Sequence, residues 1–159
     1  MRLAFLVPFL AGIAFTLAAC ADQGQAATPG PTKEVPPDLF ETLPKGQLPK
    51  FLDGHGPEVF EAYTFAVENY DELRFIPCYC GCVALGHTDN ASCAIKSMNR
   101  DGTVTFTSHA ADCPICLGTT RDVMRLHSEG KSLTEMRDFI DAKYRDLGPG
   151  TKTMYPKSQ

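Results

Sequence analysis

Three cysteines stand at alternate positions in Cys78-Tyr79-Cys80-Gly81-Cys82, directly after Pro77, and three more follow at Cys93, Cys113 and Cys116. Side chains two residues apart point to one side of an extended segment, and a glycine lets the chain curl. Three sulfurs can therefore converge on one centre. That number of cysteines permits disulfides, and their clustering permits a bound metal. Cys113-Pro114-Ile115-Cys116 sets a C-x-x-C pair at a predicted helix start, where the positive end of the helix dipole favours thiolate over thiol. His87 and His109 lie between the two groups. Thiolate and imidazole are the donors that select Zn²⁺, Cu(I) and related soft metals.

A seventh cysteine belongs to a different segment. Arg2 precedes an apolar run from Leu3 to Leu17, interrupted by Pro8 and ending in Leu17-Ala18-Ala19-Cys20. The run is too short and broken for a stable bilayer span and reads as a secretory leader. Its end resembles a bacterial lipobox, which predicts cleavage of residues 1–19 and lipidation of Cys20. Asp22 is two positions past that cysteine, so a retention signal of the enterobacterial kind is not evident. The expected location is the bacterial cell envelope. The lipid would sit in the outer face of the cytoplasmic membrane or in the outer membrane. Removing 1–19 from 159 residues leaves 140 residues, enough for one domain. Beyond the lipidated Cys20 it leaves six cysteines, an even number. A net charge of −4 with no basic run excludes a nucleic-acid partner.

Residues 20–50 are rich in Pro, Gly, Ala, Gln and Thr and read as a flexible tether. The domain is expected over residues 51–148. Pro57 suits a first helical position, and Phe60, Thr64, Val67 and Tyr70 recur at helical spacing. They predict a helix from Pro57 to Glu72. Pro77 then excludes helical geometry at Ile76. The stretch from Ala94 to Thr107 reads as a β-hairpin around Asn99-Arg100-Asp101-Gly102. A second helix is predicted from Cys113 to Ser128, ended by Gly130. A third starts at the capping box Ser132–Glu135, with an apolar stripe of Leu133, Met136, Phe139, Ile140 and Tyr144. Residues 149–159 read as a loose tail. The expected class is small α+β, three helices packed around one hairpin.

The motif Pro77-Cys78-Tyr79-Cys80-Gly81-Cys82, continued by Gly86-His87, Cys93, His109 and Cys113-x-x-Cys116, resembles the bacterial PCYCGC-motif lipoproteins. The likeness covers about Phe51 to Leu147, and the lipobox suits it. It implies that the cysteines and His87 act as a set, and it carries no established activity.

Three readings of that set compete. The favoured one is a metal site drawing on Cys78, Cys80, Cys82, His87, Cys93, His109, Cys113 and Cys116, which buffers or delivers a soft ion without catalytic turnover. Cu(I) is content with two or three thiolates, whereas Zn²⁺ prefers four tetrahedral ligands; six thiolates could also hold a small polynuclear cluster. The second is a disulfide-stabilised structural or interaction module. Cysteines one residue apart make poor partners, so three bridges from one five-residue segment would be crowded. A Cys113–Cys116 bridge beside a partial metal site is a mixed form. The third is thiol–disulfide chemistry at Cys113 and Cys116, although the chain after Cys116 lacks the strands of a thioredoxin-like unit. Covalent haem is excluded because Leu117, not histidine, follows the C-x-x-C pair. An iron–sulfur cluster is disfavoured, since a leader with a lone arginine exports unfolded chains. His55 reads as a turn residue and His127 as a helix-end cation. Tyr79, Met98, Met124 and Met136 read as packing, and Asp112 as a cap for the second helix. No catalytic triad, phosphate loop or carboxylate pair is present in the sequence.

Overall fold

The computed structural model describes residues 38–157, so the predicted leader, Cys20 and the start of the tether lie outside the described residues. The described chain is α+β. Strands β1 (Phe40–Pro44), β2 (Ile95–Met98) and β3 (Thr103–Thr107) form an antiparallel sheet in the order β1-β3-β2. The predicted hairpin is β2–β3, closed by Asn99 N–H donating to Thr103 O at 2.9 Å.

The third strand corrects the tether boundary. Phe40 pairs with Thr107 and Pro44 with Thr103, so the ordered domain begins well before residue 51. Its proline content hid it, yet a strand paired on one side only tolerates Pro44 at its end. Glu41 Oε1 also accepts the Phe51 N–H at 3.1 Å, which turns the chain towards the first helix.

Helix α1 (Pro57–Glu68) starts on Pro57 as expected but stops four residues early. Asn69 leaves helical geometry with φ −117° and ψ 32°, and a separate turn α2 (Tyr70–Leu73) follows. The buried face of α1 is Val59, Ala62, Tyr63, Ala66 and Val67, one step round from the expected stripe; Thr64 is exposed. Tyr63 decides this. Its hydroxyl donates to Thr107 O at 2.7 Å and accepts from Ala111 N–H at 3.2 Å, so a fully buried phenol is satisfied. Burial raises its pKa far above the usual phenol value.

A short turn α3 (His109–Asp112) leads into α4 (Pro114–Ser128), and α5 (Leu133–Tyr144) packs against α4. The Ser132–Glu135 capping box forms as predicted. Within the α5 stripe, Met136, Ile140 and Tyr144 are buried. Phe139 is exposed and lies under the Arg125 and Lys143 cations. The core joins these helices to one face of the sheet through Leu52, Leu73, Ile76, Ile95, Val104, Phe106 and Val123. No helix among the described residues is long and apolar enough to cross a membrane.

The expected loose tail is also corrected. Thr151 is buried: its N–H donates to Cys78 O at 2.9 Å, and its Oγ1 accepts the Cys78 N–H at 2.9 Å. Gly150 lies against the Tyr79 ring, where a Cβ would come within 2.8 Å of Cε1. The end of the chain is thus strapped to the cysteine loop.

Candidate metal centre

Four segments deliver the sulfur and imidazole donors. The loop after Pro77 carries Cys78, Cys80 and Cys82, and the turn Ala91–Cys93 carries Cys93. His109 opens α3, and Cys113 and Cys116 open α4. Gly81 bends the loop with φ +79°, a left-handed conformation that side chains resist. A Cβ there would meet nothing within 4 Å, so the need for glycine is purely conformational. Gly81→Ala is expected to cost about 1–2 kcal/mol in denaturant unfolding, and Gly81→Asn less, because asparagine tolerates this region better.

Cys116 Sγ is central. It lies 3.3 Å from Cys78 Sγ, 3.4 Å from Cys80 Sγ and 3.2 Å from Cys93 Sγ. Cys78 Sγ is also 3.2 Å from Cys80 Sγ and 3.3 Å from Cys82 Sγ. His109 Nε2 stands 3.8 Å from Cys80 Sγ, and His87 Nδ1 stands 3.5 Å from Cys93 Sγ. The two imidazoles meet edge to face at 4.6 Å.

Three sets of ligand atoms lie within 4.8 Å of one another and could hold a metal ion: Cys78, Cys80, Cys82 and Cys116; Cys80, His109, Cys113 and Cys116; and Cys82, His87 and His109. Seven of the eight expected ligands fall in these sets. Cys93 stands outside them, against Cys116 and His87. His55 also stands outside. His127 pairs with Glu72 at 3.1 Å and stacks edge-on against Phe65. Tyr79 points away from the sulfurs, its hydroxyl donating to Asp141 Oδ1 at 2.7 Å.

The covalent state corrects two expectations. Cys80 and Cys82 are joined as a disulfide, their Cα atoms 5.5 Å apart, because the Gly81 bend brings alternate residues within bridging reach. Cys78, Cys93, Cys113 and Cys116 are free, so neither a three-bridge framework nor a Cys113–Cys116 bridge is formed.

The free thiols divide by charge. Hydrogen bonds from Cys116 and Cys93 lower the Cys78 pKa to about 3, against the opposing effect of burial. Cys113 falls to about 4, chiefly through Cys116 and further through His109 and the backbone N–H groups of the α4 start. Cys116 is pushed far upward because it hydrogen-bonds to Cys113, Cys78 and Cys93 and so keeps its proton. Cys93 is also raised: a Cys116 hydrogen bond favours its thiolate, but contact with Cys78 and burial outweigh it. The pocket thus sets thiolate-prone sulfur beside thiols that give up a proton to solvent only as a cation takes its place.

Two supporting residues escaped the sequence reading. Asp38 Oδ1 faces His109 Nδ1 at 3.5 Å, which leaves Nε2 turned towards Cys80, the carboxylate–histidine arrangement found behind metal ligands. The Cys113 hydrogen bond, and then Asp38 among the neighbouring charges, raise the His109 pKa against the effect of burial. Burial, then His109, lowers that of His87. Asn90, buried, donates to Cys116 O at 3.2 Å and accepts from Thr120 Oγ1 at 2.7 Å, tying the Cys93 turn to α4. A polar cavity of about 220 Å³ reaches His87 from the surface, with Asp38, Arg74, Asp89 and Lys96 on its walls.

A family model described as protein of unknown function with PCYCGC motif matches residues 9–157. Comparison with curated proteins and with solved structures gives no match. The chain belongs to the PCYCGC-motif family.

Proposed function

We propose that this PCYCGC-family chain is a lipid-anchored carrier that binds a soft metal ion, Cu(I) or Zn²⁺, in the cell envelope and buffers or delivers it. The carrying observation is the convergence of buried and half-buried sulfur and imidazole donors in three overlapping sets, each within 4.8 Å. Such a pocket has little use for that many ionisable groups unless a cation compensates them. The compartment and anchor rest on the lipobox-like Leu17-Ala18-Ala19-Cys20, and the cavity beside His87 supplies a route for exchange.

The disulfide adds a condition. Cys80 and Cys82 bind a cation well only as thiolates, so loading requires two electrons from a dithiol or phosphine reductant. The test is elemental analysis of envelope-purified protein, with thiol counting before and after chelation. Near-stoichiometric copper or zinc in reduced protein, lost on oxidation of Cys80 and Cys82, is the expected result. Reduced protein that takes up neither metal at micromolar concentration would overturn the reading.

A second reading has its own observation. Cys78 Sγ, thiolate-prone, lies 3.2 Å from a disulfide sulfur of Cys80, the arrangement for thiol–disulfide exchange. Its signature is transfer of the disulfide to a dithiol substrate at a rate unaffected by chelator.

A further inference from the structure

The donor sets overlap in an informative way. The all-sulfur set (Cys78, Cys80, Cys82, Cys116) and the mixed set (Cys80, His109, Cys113, Cys116) each contain four ligand atoms, the number a tetrahedral ion takes. They share two members, Cys80 and Cys116, whose sulfurs are 3.4 Å apart. The remaining donors are distinct, Cys78 and Cys82 on one side, His109 and Cys113 on the other. Two four-donor sets sharing one edge describe two ions bridged by two thiolates. One ion would leave at least two of these six donors unused in a buried pocket.

We propose that the centre is dinuclear, with a buried thiolate position and a second position at His109 and Cys113, bridged by the Cys80 and Cys116 sulfurs. This rests on the metal-binding reading above and adds the number of ions and their ligands. Charge favours it. Two divalent ions on the five thiolates leave a net −1, a small charge to bury, whereas a single ion leaves two donors of a largely buried cluster without a cation. The mixed position has outer support, since Asp38 faces the far nitrogen of His109. It also lies towards the accessible side: His109 contacts His87, which lines the cavity, and Cys113 is half-exposed whereas Cys78, Cys82 and Cys116 are buried. Assembly begins with two-electron reduction of the Cys80–Cys82 bond. A phosphine reductant takes up oxygen from water as it donates the pair, and both sulfurs become thiols. Each thiol then loses its proton to buffer as metal binds.

The experiment titrates the reduced full chain in detergent with Zn²⁺ or Co²⁺ and reads stoichiometry by native mass spectrometry. Wild type is expected to saturate at two ions, and His109→Ala and Cys113→Ser at one, since the all-sulfur set survives both changes. X-ray absorption of the two-ion wild-type form should show a metal–metal vector, a readout independent of whether the variants fold. Saturation at one ion, or two ions without that vector, would overturn the dinuclear assignment while leaving the carrier reading intact. No bound ion in wild type would overturn both.

Discussion

Replacing Cys116 with alanine is expected to abolish metal binding, an effect that only loss of Cys80, the other donor common to both four-donor sets, should equal. Its sulfur belongs to both four-donor sets and lies within 3.4 Å of Cys78, Cys80 and Cys93. Loss of a group that merely supports a ligand lowers metal affinity roughly 10–100-fold, and removing a shared ligand should exceed that range. The fold should tolerate it. Cys116 is fully buried on α4, but alanine suits a helix and the lost volume is one sulfur atom, so about 1 kcal/mol of destabilisation is expected. Cys93→Ala is the internal comparison: Cys93 is as buried as Cys116 and lies 3.2 Å from it, yet stands outside every donor set. Competition against a chromophoric chelator should rank affinity as wild type, then Cys93→Ala, then Cys116→Ala. Equal affinities for the two variants would mean that packing, not ligation, explains the cluster.

How far this centre could be read from sequence depends on the kind of signal each residue carries. Cys78, Cys80, Cys82, Cys113 and Cys116 declare themselves, because thiol spacing is a chemical signal that survives ignorance of the fold. Helices α4 and α5 were equally legible, since Pro114, Gly130 and the Ser132–Glu135 box act within a few residues of their own positions. The face of α1 was not. Apolar residues recur at helical spacing in both registers, and the buried one is selected by Tyr63 finding partners at Thr107 and Ala111, far along the chain. Strand β1 was hidden for a related reason. Its exposed Phe40 and terminal Pro44 resemble a linker, and only pairing with β3 makes it a strand. Asp38 shares that fate: a carboxylate in a proline-rich stretch gives no sign that it will stand behind His109. The Cys80–Cys82 bond runs against the expectation that cysteines one residue apart make poor partners, because the left-handed Gly81 folds the chain until their Cα atoms are 5.5 Å apart.

Ending the chain at Gly148 is expected to destabilise the domain strongly, although the removed residues read as a loose tail. Both backbone polar groups of Cys78 are satisfied by Thr151, and Cys78 is buried. A buried backbone group left without a partner costs about 1–3 kcal/mol, so two orphaned groups cost about 2–6 kcal/mol. That is a large share of the 5–15 kcal/mol typical of whole domains. The truncation also removes Thr153, which donates to Thr88 O at 2.9 Å, and the Met154 carbonyl that accepts from Arg137 at 3.1 Å. Thermal unfolding of the metal-free protein should fall by about 10 °C or more. Two substitutions grade the effect. Thr151→Ser keeps both bonds to Cys78 and should stay near wild type. Thr151→Val removes the acceptor for the Cys78 N–H together with the 2.8 Å hydroxyl contact to Thr153, and should lose about 1–3 kcal/mol. The strap should also be felt in metal affinity, because a cysteine loop released from Thr151 must be ordered as the ion binds, and that ordering is subtracted from the binding free energy. Saturating metal should therefore raise the melting temperature of every variant, but the truncated chain should need a higher metal concentration to reach the same rise. A truncated chain that melts and binds like wild type would show that the contacts of Thr151 with Cys78 contribute nothing to holding the motif in place.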